Sequence, residues 1–156
     1  MELRFVDVGP DGPALLRDVA PLLLALRPAL GADGFAAFAA EAHAQGLVFT
    51  AAYDGRGRCL AVASHRVLAT SRGRLFFVDD LVTAPSTRSA GVGGRLFAVL
   101  RERAAAAGCV RIELDSGTAN HGAHRFYHAH RMAVTALHFG LDLRDVPSGS
   151  RPGAPL

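Results

Sequence analysis

Apolar and polar residues alternate from Leu3 to Val8, the two-residue period of a strand with one face in the core. Gly9-Pro10-Asp11-Gly12-Pro13 ends it, and a helical period follows over residues 14–26. Pro21 is expected to kink or divide that helix, and Pro28 and Gly31 to end it. A second helix is predicted over 33–45, rich in alanine and carrying Phe35 and Phe38, with Asp33 as N-cap and Gly46 as the stop. The turn Asp54-Gly55-Arg56-Gly57 makes a hairpin of 48–53 and 59–68, and Ser71-Arg72-Gly73 leads into a fourth strand over 75–82. Residues 92–107 then bury Leu96, Leu100 and Ala104 at helical spacing while Arg95, Glu102 and Arg103 face out, and Gly108 closes that helix. A fifth strand over 110–114, a last helix over 120–130 and a final apolar strand over 134–143 complete the pattern.

Composition narrows the class. With 156 residues, 50% hydrophobic content and mean hydropathy of +0.22, the chain reads as one folded domain over 1–146, followed by a polar tail, PSGSRPGAPL, over 147–156. The net charge of +3 is spread as single arginines and pairs, which points to an anionic cofactor and away from nucleic acid. No apolar stretch reaches the roughly 20 residues of a bilayer span, and the N-terminus opens on Glu2 and Arg4, so a cytoplasmic protein without membrane contact is expected. Cys59 and Cys109 stand far apart among apolar neighbours, as buried reduced thiols do.

Chemistry concentrates at residues 87–96, TRSAGVGGRL, a glycine-rich junction between a strand and a helix. Such a turn leaves backbone N–H groups pointing one way, and the first helical turn adds its own unpaired N–H groups and the positive end of its dipole. An anion should sit there. Every cation in the chain is arginine, so neither a Walker lysine nor a kinase strand lysine exists, and Leu96 stands where a dinucleotide fingerprint needs its third glycine.

Arg88-Ser89-Ala90-Gly91-Val92-Gly93 follows the pattern [Arg/Gln]-x-x-Gly-x-[Gly/Ala]. An apolar strand with acidic residues, Leu75-Phe76-Phe77-Val78-Asp79-Asp80-Leu81-Val82, precedes it, and Asn120, Ala123, Phe126 and Tyr127 follow at Asn-x-x-Ala-x-x-Phe-Tyr spacing. Together, over about residues 74–143, these resemble the GNAT superfamily of acyl-CoA-dependent N-acyltransferases. The resemblance implies an α/β fold: a mixed, mostly antiparallel sheet flanked by helices and splayed between its fourth and fifth strands. It also implies acetyl-CoA as cosubstrate. The main chain of Leu81, Val82 and Thr83 would meet pantetheine, and Arg88, Ser89, Ala90, Gly91, Val92, Gly93 and Gly94 would wrap the pyrophosphate. Asn120 would either hydrogen-bond the cofactor or cap its helix. One departure stands out: Phe-Tyr-x-x-x-Gly-Phe is usual, and Arg131-Met132 occupies the last two places here.

For the chemistry, Asp80 is the first candidate to assist amine deprotonation, with Asp79, on the opposite sheet face by simple alternation, second. Tyr127 takes the place of the family's general acid toward the leaving thiolate. The acceptor expected is a primary amine of a small molecule; aminoglycoside, polyamine, aminophosphonate, amino acid and protein N-terminus all fit the motifs. The run Ala123-His124-Arg125-Phe126-Tyr127 and the later His138-Phe139 also resemble aminoalkylphosphonate and small-amine acetyltransferases within the superfamily. A non-catalytic acyl-CoA-binding protein is the alternative. His121, His124 and His128 share a helical face at a spacing that can hold zinc, but with no Cys or acidic residue close in sequence they read as surface and packing histidines, with no metal. The apolar final strand offers an edge for pairing two copies, so a homodimer is among the expected states.

Overall fold

The computed structural model describes residues 1–145, in two compact units, Met1–Ser116 and a second that begins at Gly117. Residues 147–156, read above as a polar tail, lie outside the described residues, as does residue 146.

The first unit is built on a five-stranded sheet in the order β1 (Leu3–Val8), β2 (Val48–Asp54), β3 (Cys59–Thr70), β4 (Gly73–Thr83), β5 (Arg111–Leu114). The first four strands pair antiparallel, and β4 pairs with β5 in parallel. The switch to parallel pairing requires a crossover, which α3 (Val92–Ala106) supplies. Its stripe of Val92, Leu96, Leu100 and Ala104 is buried against one sheet face with Ala61, Ala63, Phe76 and Val78. On the opposite face Leu15, Val19, Leu23, Phe35 and Ala39 pack on Phe49, Ala51 and Val62. The sheet is therefore covered on both faces.

Pro21 divides the first helix as the sequence predicts. Residues Leu15–Val19 form a π-helical turn in which the Ala20 N–H reaches back to the Leu15 carbonyl, and α1 (Ala20–Leu26) takes Pro21 into its first turn, where a missing N–H costs nothing. Two details differ from expectation. Gly31, at φ +70, is the N-cap of α2 (Ala32–Ala44), and Asp33 lies in the first turn without capping it. Arg103 does not simply face solvent: its guanidinium reaches inward to Asp7 and Thr50.

In the second unit α4 (His121–Ala129) keeps the predicted span. The strand predicted over 134–143 does not form: no strand is assigned there, and Val134, Leu137, Phe139, Leu141 and Leu143 are exposed. An alternating pattern makes a strand only beside an edge that accepts its hydrogen bonds, and among the described residues none pairs with this segment.

Candidate active site

The β3–β4 register slips at one place. Ser64 pairs with Asp80 and His65 with Val78, so Asp79 is an extra residue in β4. A bulge of this kind suspends the alternation of side chains. Phe76, Val78 and Leu81 pack on the α3 side of the sheet, whereas Asp79 and Asp80 both reach the α1–α2 side, where their partners Arg66 and Ser64 stand two residues apart on β3. The expectation that Asp79 and Asp80 face opposite ways is thereby corrected.

The two carboxylates are held differently. Asp80 Oδ1 accepts from Arg27 Nε at 2.8 Å and its Oδ2 from the Ser64 hydroxyl at 2.8 Å. Asp79 is clamped by both arms of one guanidinium, Arg66 Nε at 3.1 Å and Nη2 at 2.9 Å. Both carboxylates line a cleft of about 340 Å³ with Leu23, Arg27, Leu30 and Phe38. No motif marks Arg27, Ser64 or Arg66. The i, i+2 spacing of Ser64 and Arg66 would single them out only with the strand register already known.

β5 pairs with β4 only from Leu75 to Val78, so the outer edge of Asp79, Asp80, Leu81, Val82 and Thr83 runs on without a strand partner in this unit. The strands thus part at the bulge. Beyond Thr83 a 3-10 turn, Pro85–Thr87, leads to the glycine-rich loop, where Ser89 (φ +66) and Gly91 (φ +78) are left-handed. The Arg88 and Ala90 N–H groups donate back to Pro85 and Thr87 carbonyls. Those of Ser89, Gly91, Val92, Gly93 and Gly94 donate to no acceptor among the described residues, and Gly91 caps α3 with no side chain of its own. Nothing lies within 4 Å of where a Cβ on Gly91 would stand, so the space in front of it is open. Unpaired N–H groups beside open space are the arrangement that an anion can complete.

In the second unit Asn120 Oδ1 accepts from the Ala123 N–H at 3.3 Å, which makes Asn120 the N-cap of α4. Tyr127 is half-buried and stacks edge-on with Phe126 at 5.5 Å. His124 Nε2 meets the Gly117 carbonyl at 2.9 Å and His128 Nδ1 the Met132 carbonyl at 3.1 Å. Among the described residues no cluster of three or more His, Cys, Asp or Glu side chains is placed to hold a metal ion.

The sequence profile of the Acetyltransferase (GNAT) family matches residues 18–131. The chain belongs to this family. Comparison with curated proteins finds no match. A Trypanosoma brucei acetyltransferase superimposes with a TM-score of 0.73 at 26% identity, over 91% of this chain and 100% of its own. The aminoglycoside N-acetyltransferase AAC(6')-Iy, in complex with CoA, gives a TM-score of 0.78 at 18% identity, over 92% and 95%. An aminoglycoside acetyltransferase from an uncultured soil metagenomic sample, in complex with sisomicin, gives 0.73 at 12%, over 90% and 96%.

Membership of the GNAT family makes this chain an acetyl-CoA-dependent N-acetyltransferase by class, and the sheet with its parted fourth and fifth strands is the GNAT fold. The residues present fit such a cosubstrate. Five loop and helix N–H groups suit a diphosphate, and the bare outer edge of β4 suits an amide chain. Ser116, just past the end of β5, carries the one buried side-chain oxygen without a hydrogen-bond partner among the described residues.

The other sheet face holds a polar cluster that the sequence does not announce. Thr50 Oγ1 meets Asp7 Oδ1 at 2.8 Å, His65 Nε2 at 2.9 Å and Arg103 Nη1 at 2.7 Å. The carboxylate can only accept, so the threonine hydroxyl donates to Asp7, and His65 must donate from Nε2. Burial, with the Arg103 charge second, pushes the imidazole of His65 down to about 4, which keeps it neutral. Its ring stacks on Phe76 at 4.7 Å, under the bulge. Burial also raises the Cys59 thiol to about 11, so that residue is no nucleophile.

Proposed function

We propose that this protein acetylates the primary amine of a small molecule by direct attack within a ternary complex. Acetyl-CoA supplies an activated thioester carbonyl; a C–N bond replaces the C–S bond, the amine gives up one proton and the sulfur gains one.

This chain's residues serve each need. Ser89, Gly91, Val92, Gly93 and Gly94 would hold the diphosphate through main-chain N–H groups, with Arg88 exposed beside them as a counter-charge. The outer edge of Leu81, Val82 and Thr83 would hold the pantetheine arm, with Asn120, by the family resemblance, as a further polar contact. Asp80, fixed by Arg27 and Ser64, orients the incoming ammonium and passes its proton to water. An ordinary carboxylate is too weak a base to take that proton from an ammonium outright, so a water relay suits it best. Tyr127 Oη holds the proton that the departing thiolate takes up. The cleft beside Asp80 would receive the acceptor amine.

The observation that carries this reading is that one strand, β4, delivers both the carboxylate pair and the anion cradle. Release of free thiol from acetyl-CoA against a panel of amines tests it. Release with at least one amine, slowed by roughly 10²–10⁴ at most in Tyr127→Phe, supports it. Silence with every amine, with CoA affinity intact, would mean a binding protein that has lost acceptor chemistry.

A further inference from the structure

We propose that the acceptor is a monoamine carrying an acidic group on an apolar body, and that Arg27 selects it. This rests on the reading that the cleft beside Asp80 receives the acceptor. Two carboxylates line it, Asp79 and Asp80, and each is paired to one guanidinium: Asp80 to Arg27, which is also in the lining, and Asp79 to Arg66, which is not. A polycation entering such an electroneutral cleft gives up hydration with no surplus of negative charge to replace it.

The hydrogen bonds narrow the choice. Asp79 takes both arms of the Arg66 fork, one on each oxygen, and Asp80 likewise accepts one bond on each, from Arg27 and from Ser64, so every one of these oxygens can accept another. With each carboxylate charge already matched by one guanidinium, a single ammonium beside Asp80 is the most the pair can hold without a surplus of positive charge. Arg27 spends only Nε on Asp80; its two Nη groups donate to no acceptor among the described residues, and its side chain is 59% exposed at the rim. That planar pair of donors matches a carboxylate or phosphonate. Because the same guanidinium already touches Asp80, the ammonium and acid sites are neighbours, and a short amino acid spans both. Leu23, Leu30 and Phe38 form the rest of the lining, which suits an apolar side chain.

Thiol-release kinetics with amine pairs of one skeleton, phenylalanine with phenethylamine and leucine with isoamylamine, set beside the polyamine kanamycin, test this. The acid-bearing member of at least one pair should exceed its partner and kanamycin by about tenfold or more in kcat/KM. Arg27→Gln should erase that preference: both members of a pair lose whatever Asp80 loses with its partner, the acid-bearing member loses further through KM, and Arg27→Lys should restore part of the difference. If kanamycin or the acid-free amines are preferred, the inference is overturned while acetyl transfer stands. An equal loss on both members of a pair in Arg27→Gln would overturn the role of Arg27. No thiol release with any amine would overturn the acetyl-transfer reading and this inference with it.

Discussion

Asp79 and Asp80 are consecutive in the chain and yet share one face of the sheet, because the bulge opposite Ser64 and His65 places one extra residue in β4. The bulge and the end of β4–β5 pairing at Val78 fall at the same place. One irregularity thus both aims two carboxylates and frees the strand edge beside them.

The two carboxylates should differ in worth. Asp80→Asn should lower kcat/KM by roughly 10²–10³, and Asp79→Asn, whose side chain is tied to Arg66, by less than about tenfold. Steady-state kinetics on the best amine of the panel decides this; equal losses would contradict the assignment.

Arg131 sits at φ +63, in the left-handed turn that ends α4 at the place where the family usually has glycine. The turn is kept and the glycine is not, at a cost of roughly 1 kcal/mol for a side chain in that region. Arg131→Gly should stabilise the protein by about that amount in denaturant unfolding. A loss of stability would mean that the guanidinium contributes more than the backbone strain costs.

Gly73 opens β4 at φ +114, and a Cβ there would stand 2.7 Å from Val110 Cγ2. Gly73→Ala should therefore cost about 1–3 kcal/mol, from strain and overpacking together, measured by the same unfolding curves.

His65 gives stability an acid limb. Its imidazole titrates near 4 in the folded protein and near 6.5 in the unfolded chain. The unfolded chain binds the extra proton between those values, so this contribution is complete above about pH 6.5 and fades as pH falls toward 4. Unfolding free energies across that window should fall by roughly 2–3 kcal/mol, and His65→Gln, which keeps a donor for Thr50, should flatten the curve. Asp18 and Asp54, held below the usual carboxylate range by Arg17 and by the Arg58 backbone, act at lower pH.

Local signals carried much of this structure. Turn residues at 54–57 and 71–73 and the stripe of Leu96, Leu100 and Ala104 predict the hairpins and α3 because those choices are settled within a few residues. The cradle is legible for the same reason: Gly91 needs φ +78 wherever the chain turns from β4 into α3. The Asp79–Asp80 arrangement was half legible. The motif flags both residues, but the bulge depends on the register against β3, which no local pattern fixes. Arg27, Ser64 and Arg66 stay hidden on the same ground, since each meets its carboxylate across a sequence separation of 13 to 53 residues. The pattern over 134–143 misleads in the other direction, having strand alternation without a strand to pair with.

Calorimetric titration of acetyl-CoA into the protein and into Gly93→Asp tests the cradle most directly. Gly93 lies in the first turn of α3, where a carboxylate favours the helix but repels a diphosphate, so binding and folding should move apart. One site per chain is expected in the unaltered protein, with at least tenfold weaker binding in Gly93→Asp and a melting temperature unchanged or higher. No heat from the unaltered protein, or equal affinity in the variant, would contradict it.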